Sequence, residues 1–248
     1  RTGQPLWRFQ MSYGGVNSGV VLHEDTVIAI HGKENVDATE MGRMVAIEKP
    51  AILPKLGDGI LILGKENEKW RNNELEAFTS TPVYREGRVY STIKTGELLC
   101  LRADTGAIVW RLKLAPDQVH ASPVWADGKL YVPMFDGKLF VVKDNGEEAV
   151  ILDEVQLDGS CLAAPSVAYG RIFAQSKKHL YCFGSKAPAP KFAPKPDVEN
   201  KGSGVAVGLQ VVPAEFAVKS GSALKFKVYS LDKVGRRIGE VSAGLSWE

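Results

Sequence analysis

Three cysteines in 248 residues are too few for a disulfide framework. Cys100, Cys161 and Cys182 also form no C-x-x-C or C-x-x-C-H spacing, which removes zinc-ribbon, thioredoxin-like and c-type haem readings. Long apolar runs are missing, since stretches such as residues 60–63 fall far below the roughly 20 residues of a membrane helix. Neither charge dominates: 31 Lys and Arg stand against 29 Asp and Glu, a net +2, without the concentrated basic face that tracks nucleic-acid phosphates. There is no initiator Met and no basic-then-apolar leader, so the sequence reads as processed or cut and its compartment is not given by a targeting signal. No G-x-S-x-G, H-E-x-x-H or phosphate-cradling glycine loop occurs. What is present is 44% apolar and 24% charged residues, the balance of a globular protein with a sizeable core.

The chain repeats itself. Ser80-Thr-Pro82-Val-Tyr-Arg-Glu-Gly87-Arg-Val-Tyr90 is followed by Ser122-Pro123-Val-Trp-Ala-Asp-Gly128-Lys-Leu-Tyr131 and by Ala164-Pro165-Ser-Val-Ala-Tyr-Gly170-Arg-Ile-Phe173. The prolines Pro82, Pro123 and Pro165 and the glycines Gly87, Gly128 and Gly170 share intervals of 41 and 42. A second marker runs in phase: Thr2-Gly3 before Trp7-Arg8, Gly64 before Trp70-Arg71, and Thr105-Gly106 before Trp110-Arg111. Trp7 to Trp70 is 63 and Trp70 to Trp110 is 40, so the first repeat carries insertions; near residue 150 the glycine, Gly146, is kept and the Trp is lost.

Within each period, residues 88–92, 98–102, 129–133 and 139–143 are short runs of β-branched, aromatic and leucine residues. They are bounded by Glu86-Gly87, Thr95-Gly96, Thr105-Gly106, Asp127-Gly128, Asp136-Gly137 and Asn145-Gly146, glycine-bearing turns of the kind that close hairpins. Four short antiparallel strands in about 40 residues is the size of one propeller blade. No segment keeps a helical apolar period for ten residues, which excludes helical repeats. One large indole per blade fills the wedge between neighbouring sheets while its N–H finds a carbonyl.

The pattern S-x-P-V-x-x-x-G-x-L/V-Y, then G-x-L, then D-T-G-x-x-x-W-R resembles the repeat of the quinoprotein (PQQ-like) β-propeller superfamily, over residues 1–185. That group holds PQQ-dependent alcohol dehydrogenases and the propeller lipoprotein of the outer-membrane barrel-assembly machinery, so the resemblance implies a fold more than an activity. It also implies a periplasmic or extracellular placement. Blades are expected at 11–71, 72–111, 112–152 and 153–185, the last without a T-G-x-x-x-W strand. Residues 1–10 are such a strand without a blade: they either complete the fourth blade or end a preceding blade, and related propellers of seven or eight blades favour a partial ring. A proline-rich spacer is expected at 186–204 and, at 205–248, the first strands of a bacterial Ig-like domain, with Trp247 as a core indole.

A PQQ dehydrogenase needs a quinone, a Ca²⁺ site, a carboxylate base and often adjacent cysteines. No cysteines are adjacent here, and no catalytic, cofactor or metal residue is assigned. Cys100 and Cys182, in equivalent repeat phase, are expected to be buried strand thiols. His31, Glu34, Asp37 and Glu40 form the one cluster of possible ligands, placed in an inserted, solvated loop. His120 is expected to begin a strand. Asp127, Asp136 and Asp144 are read as turn residues, and Trp125 as core or groove lining. The resulting expectation is a non-catalytic module that presents loops to a protein or polymer, without nucleic acid; PQQ and calcium enter only under the alternative, a fragment of a quinoprotein oxidoreductase.

Overall fold

A computed structural model describes residues 5–54, 58–118, 120–184, 201–215 and 218–246. Pro5–Pro190 forms one compact unit, and the described part of Lys191–Glu248 belongs to another. The chain is all-β, and the first unit is a set of β-propeller blades.

Strand β1 (Trp7–Phe9) precedes the first blade. That blade contains β2 (Val21–His23), β3 (Thr26–Glu34) and β4 (Met41–Glu48); after an inserted segment carrying β5 (Leu61–Leu63), β6 (Glu68–Asn72) completes it in the order β2-β3-β4-β6. The second blade is β7 (Val83–Arg85), β8 (Arg88–Thr92), β9 (Glu97–Arg102) and β10 (Ile108–Lys113). The third is β11 (Val124–Ala126), β12 (Lys129–Pro133), β13 (Lys138–Asp144) and β14 (Ala149–Gln156). The fourth shows three strands among the described residues: β15 (Ser166–Ala168), β16 (Arg171–Gln175) and β17 (Leu180–Gly184). All pairings inside the blades are antiparallel. The second unit holds a three-stranded antiparallel sheet, β18 (Gly208–Val212), β19 (Lys227–Leu231) and β20 (Arg237–Glu240). The expected spacer lies mostly outside the described residues, as does Trp247.

The repeated turns are built as their composition requires. Glu86-Gly87, Asp127-Gly128 and Tyr169-Gly170 each place two successive residues at positive φ, the backbone of a two-residue hairpin turn whose twist matches the strands it joins. Along the inner strands of the first three blades the side chains alternate between two apolar faces. Ile28, Ile30, Met44 and Ala46 of the first blade meet Val89, Leu99, Leu101 and Ala103 of the second. Tyr90, Leu98, Cys100 and Trp110 of the second meet Leu130, Val132, Phe140 and Val142 of the third. Tyr131 and Leu139 of the third meet Ala174, Ile172, Tyr181 and Phe183 of the fourth.

Several expectations are corrected. Of the two readings of residues 1–10, only completion of the fourth blade is corrected, since among the described residues Trp7–Phe9 lies parallel to β5, Trp7 opposite Leu61. Trp7 and Phe9 pack on Met11, Ala29, Val45, Ile47 and Leu63, the first blade's other face. Cys182 is exposed, not a core thiol, because no further sheet covers that face of the fourth blade among the described residues. His31 and Glu34 lie in β3 rather than in a loop, since the β3–β4 hairpin carries its pairing out to Glu34 and Met41. His120 stands in a bend before its strand, which begins at Val124. The lost Trp corresponds by ladder register to Asp153: it faces Val141 as Trp110 faces Cys100, and in both blades a bulge in the outer pairing adjoins that position.

Candidate functional site

Within each four-stranded blade, calling the strands a to d in chain order, the first strands β2, β7 and β11 lie against one another. The loops from d to the next a run past the b–c turns, where glycine permits contact that a side chain would block. A Cβ at Gly32 would lie 2.8 Å from the Ala77 carbonyl oxygen, and one at Gly137 2.7 Å from that of Gly159. Backbone bonds fix the crossing: Lys94 N–H donates to Glu76 O, Gln118 N–H to Lys94 O, and Leu157 N–H to Gly137 O. A hydroxyl ladder joins the a strands: Gly19 N–H donates to Thr81 Oγ1 at 2.8 Å, and Thr81 N–H to Ser122 Oγ at 2.8 Å. The repeat places Ala164 next in this series, a residue with no hydroxyl to offer.

This crossing of loops and turns gathers a line of partly exposed side chains over the first three blades. Lys33 Nζ lies 6.0 Å and Lys94 Nζ 5.5 Å from the centre of the Phe78 ring. Lys94 is held to Glu76 by an ion pair at 3.1 Å. Thr79 Oγ1 lies 3.1 Å from His120 Nδ1 and donates to the His120 carbonyl, and the His120 ring packs 6.1 Å from that of Phe135. The result is an aromatic and cationic strip, Lys33, Phe78, Lys94, His120 and Phe135. Of these only His120 stood out in the sequence; Phe78 comes from a d-to-a loop and Phe135 from a b–c turn, and they share no motif.

The expected ligand cluster is taken apart by ion pairing. Asp37 accepts from Arg71 at 2.8 Å and from Arg43 at 2.5 Å. The Arg71 bond first, and the Arg43 bond next, hold its carboxyl down to about 2. Glu68 is bound by Arg71, and Arg43 also donates to Asn73 Oδ1. These groups border a cavity of about 320 Å³ under β1 and β5. Among the described residues no three His, Cys, Asp or Glu side chains converge on a metal-sized site.

His31 is fully buried nearby. Its Nδ1 accepts from Lys33 N–H, and neither its Nε2 nor Asn35 Oδ1 has a well-formed hydrogen bond. Burial first, then the charge of Arg43, push the imidazole below its ordinary 6.5, against weaker pulls from Asn35 and Met11. Folded His31 is therefore neutral where an unfolded chain already binds a proton. Stability should fall as the pH drops through 6.5, with a slope approaching about 1.4 kcal/mol per pH unit. His31→Gln is expected to flatten that slope in urea titrations; an unchanged slope in the variant would refute the assignment.

The second polar centre sits between blades two and three. Asp144, expected to be a turn residue, ends β13 with a side chain only 6% exposed. It accepts from Arg88 at 3.0 Å, Tyr90 Oη at 2.6 Å, Trp110 Nε1 at 3.1 Å and the Gly146 N–H at 2.8 Å. Burial first, and the bond to Asp144 next, raise the Tyr90 phenol well above its usual range, and burial pushes the Cys100 thiol up to about 11. Neither group is poised for proton transfer or nucleophilic attack near neutrality. Trp125 stacks on Tyr90 at 5.3 Å, beside a cavity of about 250 Å³.

The indoles of the repeat bind the following blade. Trp70 Nε1 donates to the Ala103 carbonyl at 2.9 Å, its ring lying over Gly106. Trp110 donates to Asp144, 41 positions after Ala103, through a carboxylate instead of a carbonyl. Asp127 is exposed and paired with Lys129, and Asp136 bonds the Lys138 N–H within its turn. Pro82, Pro123 and Pro165 each stand immediately before an a strand.

Residues 63–149 match the sequence model of the family described as outer membrane protein assembly factor BamB. The match covers the second blade and most of the third, with the end of the first. No curated protein matches the chain. Among solved structures, BamB from Moraxella catarrhalis shares 14% identity at a TM-score of 0.49, over 67% of this chain and 42% of its own. The chain thus spans less than half the length of that protein. The computationally designed Ika4 protein shares 13% identity at a TM-score of 0.50, over 74% of this chain and 99% of its own. The designed Ika8 protein gives 13% and 0.50, again over 74% of this chain but 50% of its own. These likenesses are likenesses of fold.

Proposed function

We propose that the chain is a non-catalytic binding module, a PQQ-like propeller that holds a protein partner against its loop face. The observation that carries this reading is the strip of Lys33, Phe78, Lys94, His120 and Phe135, in which half-buried rings and amine groups are fixed on a rigid scaffold. Aromatic and cationic groups of this kind anchor protein interfaces, and loops held by a rigid frame commonly carry function. The ionisable groups of the two polar centres, Asp37, Arg43, Asp144 and Arg88, are committed to one another or to the backbone. We read residues 1–185 as the propeller, 186–204 as a spacer and 205–248 as part of an Ig-like domain, in an extracytoplasmic setting like that of the family matched by residues 63–149.

The test is a photo-crosslinking amino acid placed singly at Phe78, Phe135 and Glu147, in cells of the source organism. The first two lie on the loop face; Glu147 lies in the exposed c–d turn at the other end of the strands. One shared protein adduct from positions 78 and 135, absent from 147, is expected. No adduct, or the same adduct from 147, overturns the reading. Purified chain given PQQ and Ca²⁺ is expected to gain neither quinone absorbance nor dye-linked alcohol oxidation; gaining both would make it an oxidoreductase.

A further inference from the structure

We propose that this chain binds head to tail to a second copy of itself, Trp7–Phe9 of one copy pairing with β17 of the other as the fourth strand of its fourth blade. Two such junctions close a pair.

The argument starts at the exposed face of the fourth blade. By ladder register Phe173 and Cys182 are the equivalents of Tyr90 and Cys100, and of Ile28 and Ala46. In the first two blades those positions are buried against the next sheet. In the fourth blade Cys182 is exposed and its neighbour on the same face, Leu180, is 72% exposed, whereas its counterpart Leu98 is fully buried. Among the described residues β17 is also paired along one edge only, with β16. An apolar face beside an unpaired edge is a template for strand addition.

The strand that fits is β1. It carries the Trp-Arg dipeptide of the outer strands β6 and β10, in phase with them, and the fourth blade lacks that strand among the described residues. Trp7 and Phe9 cover Ala29, Val45 and Ile47 of the first blade, as Trp110 and Leu112 cover the third-blade core of Leu130, Val132 and Phe140. So β1 already sits on its own first blade in the way an outer strand sits on the following blade. Its edge away from β5 is unpaired among the described residues.

Register follows from the second blade, where Trp110 faces Cys100 and Leu112 faces Leu98. The same offset sets Trp7 against Cys182, Arg8 against Tyr181 and Phe9 against Leu180. Cys182 and Leu180 of one copy then join the Ala29, Val45 and Ile47 core of the other, as Cys100 and Leu98 join the core shared by blades two and three.

Sedimentation equilibrium of the full chain at micromolar concentration should give twice 27.0 kDa. Leu180→Glu, a change at an exposed site, should give a single copy with an unchanged circular dichroism spectrum. A thiol reagent reads the junction directly, because Cys182 alone of the three cysteines is exposed. Its labelling should be at least about tenfold slower in the wild type than in Leu180→Glu, since paired strands label only through opening. A wild type of single-copy mass, an assembly larger than two, a pair that survives Leu180→Glu, or equal labelling of Cys182 in both proteins would overturn the proposal.

Discussion

Asp144→Ala is expected to destabilise the propeller by about 3–5 kcal/mol, the usual consequence of removing one partner from a buried charged network. Four donors lose their acceptor together: the Arg88 guanidinium, the Tyr90 hydroxyl, the Trp110 indole N–H and the Gly146 amide. Arg88 retains the Gly146 carbonyl but no carboxylate. Because the carboxylate belongs to the third blade and three of the donors' side chains to the second, the damage falls on the contact between sheets. For a unit of this size the thermal midpoint should fall by on the order of 10 °C. Asp144→Asn keeps the shape and one oxygen and should lose roughly half as much. Asp127→Ala, at an exposed pair with Lys129, should change stability by less than about 0.5 kcal/mol. Similar midpoints for Asp144→Ala and Asp127→Ala would show that the buried network contributes nothing.

The second large effect is at Gly106. Its φ is +71°, where any L-residue with a Cβ is strained by roughly 1–2 kcal/mol. A Cβ there would also meet the Trp70 ring, with Cζ3 at 3.0 Å and Cε3 and Cδ2 closer still. Gly106→Ala must therefore push the indole off the Ala103 carbonyl and open the contact between blades one and two, for a total loss above about 3 kcal/mol. Gly128 provides the control: its φ is +68° and a Cβ there meets nothing within 4 Å, so Gly128→Ala measures backbone strain alone. Denaturation midpoints of the two variants give the difference, and indole fluorescence should red-shift only in Gly106→Ala. Equal losses would mean that the Trp70 contact is not what Gly106 protects.

The blades were legible because each encodes its own boundaries. Turn glycines at 87, 128 and 170 mark hairpins that need positive φ, and the intervals of 41 and 42 align the strands between them. Burial was legible only where a neighbour was implied. Cys100 and Cys182 have the same phase, yet one is buried and the other exposed, since burial on a blade belongs to the next sheet and not to the strand itself. Asp144 read as a turn residue because Asp-Asn-Gly has turn composition; its role depends on Arg88, Tyr90 and Trp110, 54 or more positions away in two cases and 34 in the third. His31 read as a loop residue because Gly32 and Gly42 interrupt the alternation, although both glycines let the β3–β4 hairpin pass under the crossing loop at Glu76 and Ala77. The strip around Phe78 had no motif, being assembled from separate turns.

The hydroxyl ladder that runs from Gly19 through Thr81 to Ser122 and lapses at Ala164 gives the array a polarity. In a linear stack of similar units, stability is a sum of unit terms and nearest-neighbour couplings, and the weakest coupling decides where melting starts. Here the missing rung coincides with Asp153 standing in the register position of the linking indole in the third blade, so two couplings weaken at the same joint. Fraying is therefore directional: it enters at the fourth blade and is checked by the Asp144 junction.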